Sequence, residues 1–352
     1  MKAKIEYKGK IGDRSNLKDV IPLRTPFLIF IEPTDKCNFK CKFCPTGDIN
    51  LMKNTPTRNS GNMDFSLYKK VIDDISEFDD NIKMIQLYKD GEPLLHPQFT
   101  DMVKYAKSKS YINTVATTTN ASLLNKDLSL KIIDSGLDRV NISIEGVNSE
   151  QYLNISRIKI DFKKLVDNIE FLYKNKTHLH IYIKIVGNNL SDNDKKDFYK
   201  VFGNIADSIF IENIIPIWSG IDVYNNDVKN NNLSNMGEKD IKYKNVCPNI
   251  FYSFAVNSDG SISPCCADWS RKFDIGNIKN KKIKDLWNSK EMFNLQMMFL
   301  KGKRKEHSFC GPCGLPTFGS IDNLDSYADD LIMKIEQSRA EQSRAEQSRA
   351  EH

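Results

Sequence analysis

The sequence predicts an α/β protein, a parallel sheet built from repeated βα units followed by a smaller unit that carries cysteines. Two observations predict it. From Pro26 to about Pro216, apolar β-branched runs alternate with amphipathic stretches, the sequence form of strand–helix–strand crossovers. Beyond residue 244 the pattern changes to short alternating runs around Asn257-Ser-Asp-Gly260, a hairpin signal, followed by one helical stretch. The 352 residues suffice for one large domain and one small one.

Taken in order, residues 1–25 are polar and basic with a turn at Gly12-Asp13, and are expected to form an extended N-terminal arm or a cap over the barrel mouth. The expected strands are Phe27 to Ile31, Met84 to Tyr88, Thr114 to Thr118, Arg139 to Ile144, Leu179 to Ile185 and Ser208 to Ile211. Helical patterns lie between them near Ser66 to Ile75, Phe99 to Lys107, Asp127 to Ser135, Phe162 to Tyr173 and Asp192 to Phe202. Six strands and five right-handed crossovers within residues 26–218 curl into an open partial barrel, whose chemistry belongs at the C-terminal strand ends. Residues 219–244, rich in Asn, Asp, Gly and Lys, read as a linker or a loop over the site. Residues 245–320 form the second unit, with a helix from Ile283 to about Leu300. Residues 321–352 are a helix and tail, ending in three copies of Glu-Gln-Ser-Arg-Ala over 336–350. A five-residue repeat drifts around a helix, so no apolar stripe persists and no coiled coil is specified.

Hydrophobic residues make up 40% and charged residues 28%, with 51 Lys and Arg against 46 Asp and Glu. A net charge of +5 with interspersed signs does not argue for nucleic acid or an anionic membrane. No apolar run approaches the ~20 residues that span a bilayer, and the first residues lack the apolar core of a secretory signal. A cytoplasmic location is therefore expected, where eight cysteines point to metal or cluster ligation rather than disulfides.

Cys37, Cys41 and Cys44 follow the first strand directly, spaced Cys-x3-Cys-x2-Cys. Three thiolates from one short loop can hold three corners of an iron–sulfur cube and leave the fourth iron open. A zinc site is the alternative, though no His lies between Cys37 and His96. The loop, with Phe43 just before Cys44, resembles the cluster-binding loop of the radical S-adenosylmethionine (SAM) enzymes. That resemblance implies a partial (β/α)6 barrel and a 4Fe-4S cluster whose open iron chelates SAM. It implies a deoxyadenosyl radical that abstracts hydrogen, an aromatic at Phe43 near the adenine, and an electron donor such as flavodoxin or ferredoxin.

Further segments carry the same resemblance. Asp90-Gly91-Glu92-Pro93 after strand two is similar to the Gly-Gly-Glu-Pro turn that lies along the methionine end of SAM; Gly91 supplies close backbone approach, Glu92 anchors the turn, and Asp90 departs from the pattern. Read alone, it is only a turn. Thr119-Asn120 after strand three and Ser143-Ile-Glu145-Gly146 after strand four are likewise similar to SAM-contacting segments. Ser143 and Glu145 alternate onto one strand face. Arg157 is a candidate for the SAM carboxylate or else a solvated arginine. Contacts are also implied around Lys184 to Gly187. His178 and His180 fall at the non-catalytic strand start and read as structural.

In the second unit, Cys247, Cys265, Cys310 and Cys313 are spaced as in the twitch domain, the short form of the SPASM auxiliary domain, and a hairpin at Asn257–Gly260 would bring Cys247 and Cys265 to one end. The resemblance implies a second 4Fe-4S cluster, fully ligated by protein; a structural zinc site stays open. In cluster spacing the chain resembles the twitch-bearing aminocyclitol dehydrogenases. Cys266 is left over, as a buried small residue or as a thiol that returns hydrogen to a substrate radical, and Asp268 is a proton acceptor or a turn cap. With the barrel starting so near the first residue, no leader-peptide domain is expected. The expected activity is oxidation of a secondary alcohol on a small polyol (sugar, nucleotide sugar or aminocyclitol), with the auxiliary cluster taking the electron. Epimerisation through Cys266, modification of a ribosomal peptide, and a zinc-stabilised binding protein are the alternatives.

Overall fold

The structure, a computed structural model, describes residues 1–7, 14–58, 61–218, 221–222, 234–236 and 241–350. The Gly12-Asp13 turn and most of the 219–244 stretch lie outside the described residues. Among the described residues nine strands form one open sheet: β1 (Lys4–Ile5), β2 (Leu28–Ile31), β3 (Met84–Gln86), β4 (Val115–Thr119), β5 (Arg139–Ile144), β6 (His180–Val186), β7 (Ser208–Glu212), β8 (Ser253–Val256) and β9 (Ile262–Ser263). Their order is β1-β7-β6-β5-β4-β3-β2-β8-β9, parallel throughout except for the β8/β9 hairpin. The six expected strands are β2 to β7, each within two residues of the limits read from the sequence.

Side-chain alternation sets the two faces. Ile29, Ile31, Ile85, Val140, Ile142, Ile144, Ile181, Ile183, Ile185 and Ile209 pack into one core against the crossover helices. Their neighbours Phe30, Gln86, Tyr88, Asn141, Ser143, Tyr182, Lys184, Phe210 and Glu212 therefore face the concave interior. Polar residues so placed are tolerable because they find one another there.

Helices Phe65–Asp74, Phe99–Lys107, Lys126–Asp134, Phe162–Asn175 and Asp192–Phe202 follow the expected pattern. Two helices carried no strong apolar period: Ile49–Lys53 and Ser149–Ser156, capped by Asp48 and Asn148. The helix expected from Ile283 to about Leu300 is two, Ile283–Trp287 and Lys290–Leu300, because the Ser289 hydroxyl accepts from Met292 N and starts a new helix.

Among its described residues the N-terminal arm does not cap the barrel mouth. Lys4 and Ile5 pair with Ser208 and Ile209 at the start of β7, at the opposite end of that strand from the catalytic rim. Leu17 and Ile21 join a second core with Val246, Cys247, Phe251, Leu295, Phe299, Leu331 and Ile335. Burial of apolar side chains beneath the auxiliary segment outweighed the arm's polar composition. The hairpin adds to the barrel's own sheet: β8 runs parallel to β2, pairing Leu28 with Ser253 and Ile31 with Val256. The chain's final helix, Ala328–Ala350, is anchored through Leu331 and Ile335. No helix among the described residues is long and apolar enough to cross a membrane.

Candidate active site

The loop after β2 is clamped from three sides. Lys40 N and Lys42 N donate to the carbonyls of Ser156 and Ile155 at 2.9 and 3.0 Å, which docks the Ser149–Ser156 helix on it. Glu92 N donates to the Lys36 carbonyl at 2.8 Å, and a Cβ on Gly91 would stand 2.1 Å from the Thr34 carbonyl oxygen. Only glycine permits that approach. Asn120 Nδ2 donates to Asn38 Oδ1 at 2.9 Å, and Asn38 Nδ2 to Ser122 Oγ at 2.8 Å.

This clamp presents Cys37, Cys41 and Cys44, all half-buried and outside any disulfide. Burial pushes the Cys37 thiol up to about 12, and Cys41 and Cys44 are raised for the same reason, Cys41 further by the other two sulfurs. Charged sulfurs in this pocket need a cation. Three thiolates offered from one loop can each sit on its own iron of a cluster.

The structure gathers most of the sequence-derived SAM residues around this loop. Phe43 and Glu145 line a pocket of about 520 Å³ with Gln151, Val186, Asn188 and Ile214. Burial raises the Glu145 carboxyl to about 7, against the pull of Lys184. Ser143 shares that strand face and sits beside Lys184 in register. Glu92 and Asn120 act through the turns. The Glu92 carboxylate accepts from Leu94 N (3.0 Å), Thr119 Oγ1 (2.6 Å) and Asn120 N (2.7 Å), tying the β3 turn to the β4 turn. Arg157 is exposed, in the left-handed conformation at a helix end, with its guanidinium 3.4 Å from the Gly47 carbonyl.

The second cysteine set converges as well. Cys247, Cys265, Cys310 and Cys313 line one pocket of about 380 Å³ walled by Phe273, Phe309 and neighbouring apolar residues. Arg304, 1% exposed, organises it. Its guanidinium donates to the carbonyls of Asn245 (2.8 Å), Lys244 (3.2 Å), Cys313 (3.2 Å) and Cys310, binding both cysteine segments to one cation. Nothing in the basic run Lys301-Gly-Lys-Arg304-Lys305 distinguished this arginine from its solvated neighbours.

Cys266 does not line that pocket but is hydrogen-bonded to Cys265 at its edge, and its charge is felt both by Cys247 and Cys313 and by Tyr88 of the barrel interior. Asp268, expected as a proton acceptor or a turn cap, makes the contacts of a cap. Fully buried, its carboxylate accepts from Ser263 Oγ at 2.8 Å and Lys272 N at 3.0 Å.

Two groupings went unread in the sequence, which named Lys184 only within a stretch of implied SAM contacts. Inside the barrel, Tyr88 is hydrogen-bonded to Thr118 and feels the charges of Lys184, Glu212 and Cys266, and Lys184 Nζ holds Glu212 at 2.5 Å. Between the two cysteine sites lies a buried ion network. Arg58 pairs with Glu32 (3.0 Å) and Asp90 (3.1 Å), Arg271 with Glu32 (2.6 Å) and Asp35 (3.4 Å), and Lys89 with Asp90 (2.7 Å). Lys89 also donates to the Asp268 carbonyl at 2.7 Å. Asp90, the departure from the glycine pattern, is thus a partner in a bridge between the two sites. Burial works against the Glu32 carboxylate, but Arg58, Lys89 and Arg271 outweigh it and hold the group down at about 2.

An open parallel barrel with three cysteines after its first interior strand, joined through a hairpin to a four-cysteine pocket, defines the class. The chain is a radical SAM protein with a SPASM-type auxiliary domain: residues 31–201 match the Radical SAM superfamily and residues 247–314 the SPASM iron–sulfur cluster-binding domain. SAM and 4Fe-4S clusters are the cofactors of that combination. The chain is 23% identical over 299 residues to the tungsten-containing aldehyde ferredoxin oxidoreductase cofactor-modifying protein of Pyrococcus furiosus, covering 74% of this chain and 80% of that one. Its fold is similar to SuiB of Streptococcus suis bound to precursor peptide SuiA, with a TM-score of 0.63 and 15% identity over 86% of this chain and 72% of that one. It is also similar to BtrN in complex with AdoMet and 2-DOIA, with a TM-score of 0.53 and 18% identity over 84% and 94%.

Proposed function

We propose that this radical SAM enzyme oxidises a secondary alcohol of a small polyol. The observation that carries the reading is the auxiliary pocket, which is lined by the four cysteines Cys247, Cys265, Cys310 and Cys313, with Cys266 hydrogen-bonded to Cys265 outside the lining. A cluster held by four thiolates has no open iron for substrate and is suited to taking one electron, which alcohol oxidation requires after hydrogen-atom removal. When bound, SAM and the two clusters supply the abstracting radical and that electron sink.

The chain's own residues do the rest. Phe43 and the walls of the 520 Å³ pocket would hold the nucleoside part of SAM, with Glu145 as a polar contact on that wall; Ser143 and Arg157, which do not line it, are kept as SAM contacts on the family resemblance alone. The barrel interior offers Tyr88, Lys184 and Glu212, a hydroxyl-binding surface suited to a polyol. Glu212, held by Lys184, takes the hydroxyl proton as the carbonyl forms. The dehydrogenase BtrN supports the reading through its likeness of fold.

A second reading, epimerisation, is favoured by Cys266, a thiol that does not line the auxiliary pocket and whose charge reaches Tyr88 of the barrel interior, so that it could return a hydrogen atom to the opposite face of a substrate radical. SuiB keeps a peptide substrate in view. Turnover in heavy water with sugars, nucleotide sugars and aminocyclitols separates them. A carbonyl product supports dehydrogenation; an inverted alcohol with solvent deuterium on carbon, lost in Cys266→Ala, establishes epimerisation instead. Inertness toward every polyol alongside modification of a peptide would sink both.

A further inference from the structure

We infer that Asp90 keeps the first cluster strongly reducing by cancelling the charge of Arg58 and Lys89 beside the cysteine loop. The turn after β3 is similar to a Gly-Gly-Glu-Pro turn, yet its first position holds a carboxylate. An aspartate in a turn is ordinarily solvated. This side chain is only 5% exposed, with Arg58 at 3.1 Å and Lys89 at 2.7 Å, both fully buried. Among the described residues the buried network sets three cations, Arg58, Lys89 and Arg271, against three carboxylates, Glu32, Asp35 and Asp90. Asp259, 36% exposed at the rim, also meets Arg271, at 3.1 Å. Without the Asp90 charge the buried set holds one cation in excess, and buried charge is costly unless it is paired.

That excess would lie against the cysteine loop. A Cβ on Gly91, the next residue, would stand 2.1 Å from the Thr34 carbonyl oxygen and 2.7 Å from that of Lys36, so the turn rests on the root of the loop. From the other side Arg58 Nη2 donates to the Asp35 carbonyl at 3.4 Å, and Arg58 lines one groove together with Cys37. At Cys44, after burial and the Thr46 hydrogen bonds, the charges of Asp90 and Arg58 act with opposite signs. The charges acting on Cys247, Cys310 and Cys313, after burial, are those of other cysteines, Arg304 and Asp268. Net charge around an iron–sulfur cluster sets its reduction potential, and a dry site screens such a charge far less than water does. An uncancelled cation here makes one-electron reduction easier and the reduced cluster a weaker reductant for SAM. Asp90 exchanges no atoms and carries no electron; it acts through its charge.

The test is a reductive titration of the cluster-loaded full chain without SAM, followed by electron paramagnetic resonance. The first cluster's signal is the one that changes when SAM is then added. In Asp90→Asn, which keeps the shape and one accepting oxygen, the ratio of reduced to oxidised first cluster at a fixed potential is expected to rise about tenfold, an upward shift of about 59 mV. Arg58→Gln is expected to lower the ratio by about the same factor, and the double variant and Asp90→Glu to lie within about threefold of wild type. A residue that only held the turn in place would give no such reversal of sign. An unmoved ratio in Asp90→Asn, the same direction in both single variants, or an equal shift at the auxiliary cluster overturns the inference. Where a single variant does not retain its iron, Lys89→Gln against wild type gives the reading, and a ratio that does not fall there overturns the inference as well.

Discussion

Glu212 and Arg304 show what single residues contribute. Glu212 is the interior carboxylate held by Lys184, and its removal tests the proton-accepting role. Glu212→Gln is expected to lower turnover by about 10²-fold or more, while deoxyadenosine formation continues uncoupled from product; chromatography of both products checks it. Arg304 satisfies several buried carbonyls from both cysteine segments. Arg304→Met leaves them unpaired, a loss of about 3 kcal/mol or more, and iron content is expected to fall by about half as the auxiliary site is lost. Glu32 sets a pH dependence. Its carboxyl is lowered from 4.5 to about 2, so its stabilisation is fully present above pH 4.5 and disappears as pH falls toward 2. The stability gap between wild type and Glu32→Gln, measured by urea unfolding, is expected to be widest above pH 4.5 and to close toward pH 2.

At the scale of elements, the turns after β3 and β4 are supports of the cysteine loop as much as parts of a cofactor site. Gly91 sits against the Thr34 carbonyl, so even a methyl group must push backbone aside. Gly91→Ala is expected to destabilise by about 3 kcal/mol and to lower iron at the first cluster, read by absorbance and iron analysis. The strand positions and the Gly91 turn were legible in sequence because period-two runs and turn residues are local signals. Tyr88 was not, since one tyrosine at the end of an apolar run does not announce which face it occupies or that the charge of Cys266, 178 residues on, will reach it. The break at Ser289 was missed because apolar residues continue on both sides of the capping serine.

For the whole molecule, the auxiliary segment shares the barrel's sheet through β8 and β2 and is bound to it by the buried ions. Removing one partner of such a network leaves unpaired charge in the interior, so the network fixes how the two cysteine sites stand relative to each other. The final helix is held through its first turns by the second core and, further on, by Arg339 over the Phe293 ring. Truncation after Gln342 is expected to leave the melting temperature within about 2 °C, whereas Leu331→Ala, which opens the second core, lowers it by several degrees; calorimetry distinguishes the two.

By itself the sequence determined the chemistry that radical SAM and SPASM cysteines bring, the parallel α/β barrel, and the turns that carry Gly91, Glu92 and Asn120. Each is written in short-range spacing or periodicity. Only the tertiary structure decided that the N-terminal arm belongs to the auxiliary core, that Asp268 makes the contacts of a turn cap, that Asp90 bridges the two sites, and that Tyr88, Lys184 and Glu212 share one interior that the charge of Cys266 reaches. Those facts depend on contacts between residues tens to hundreds of positions apart. Burial and charge pairing, which create such contacts, leave no mark on the local pattern of the chain.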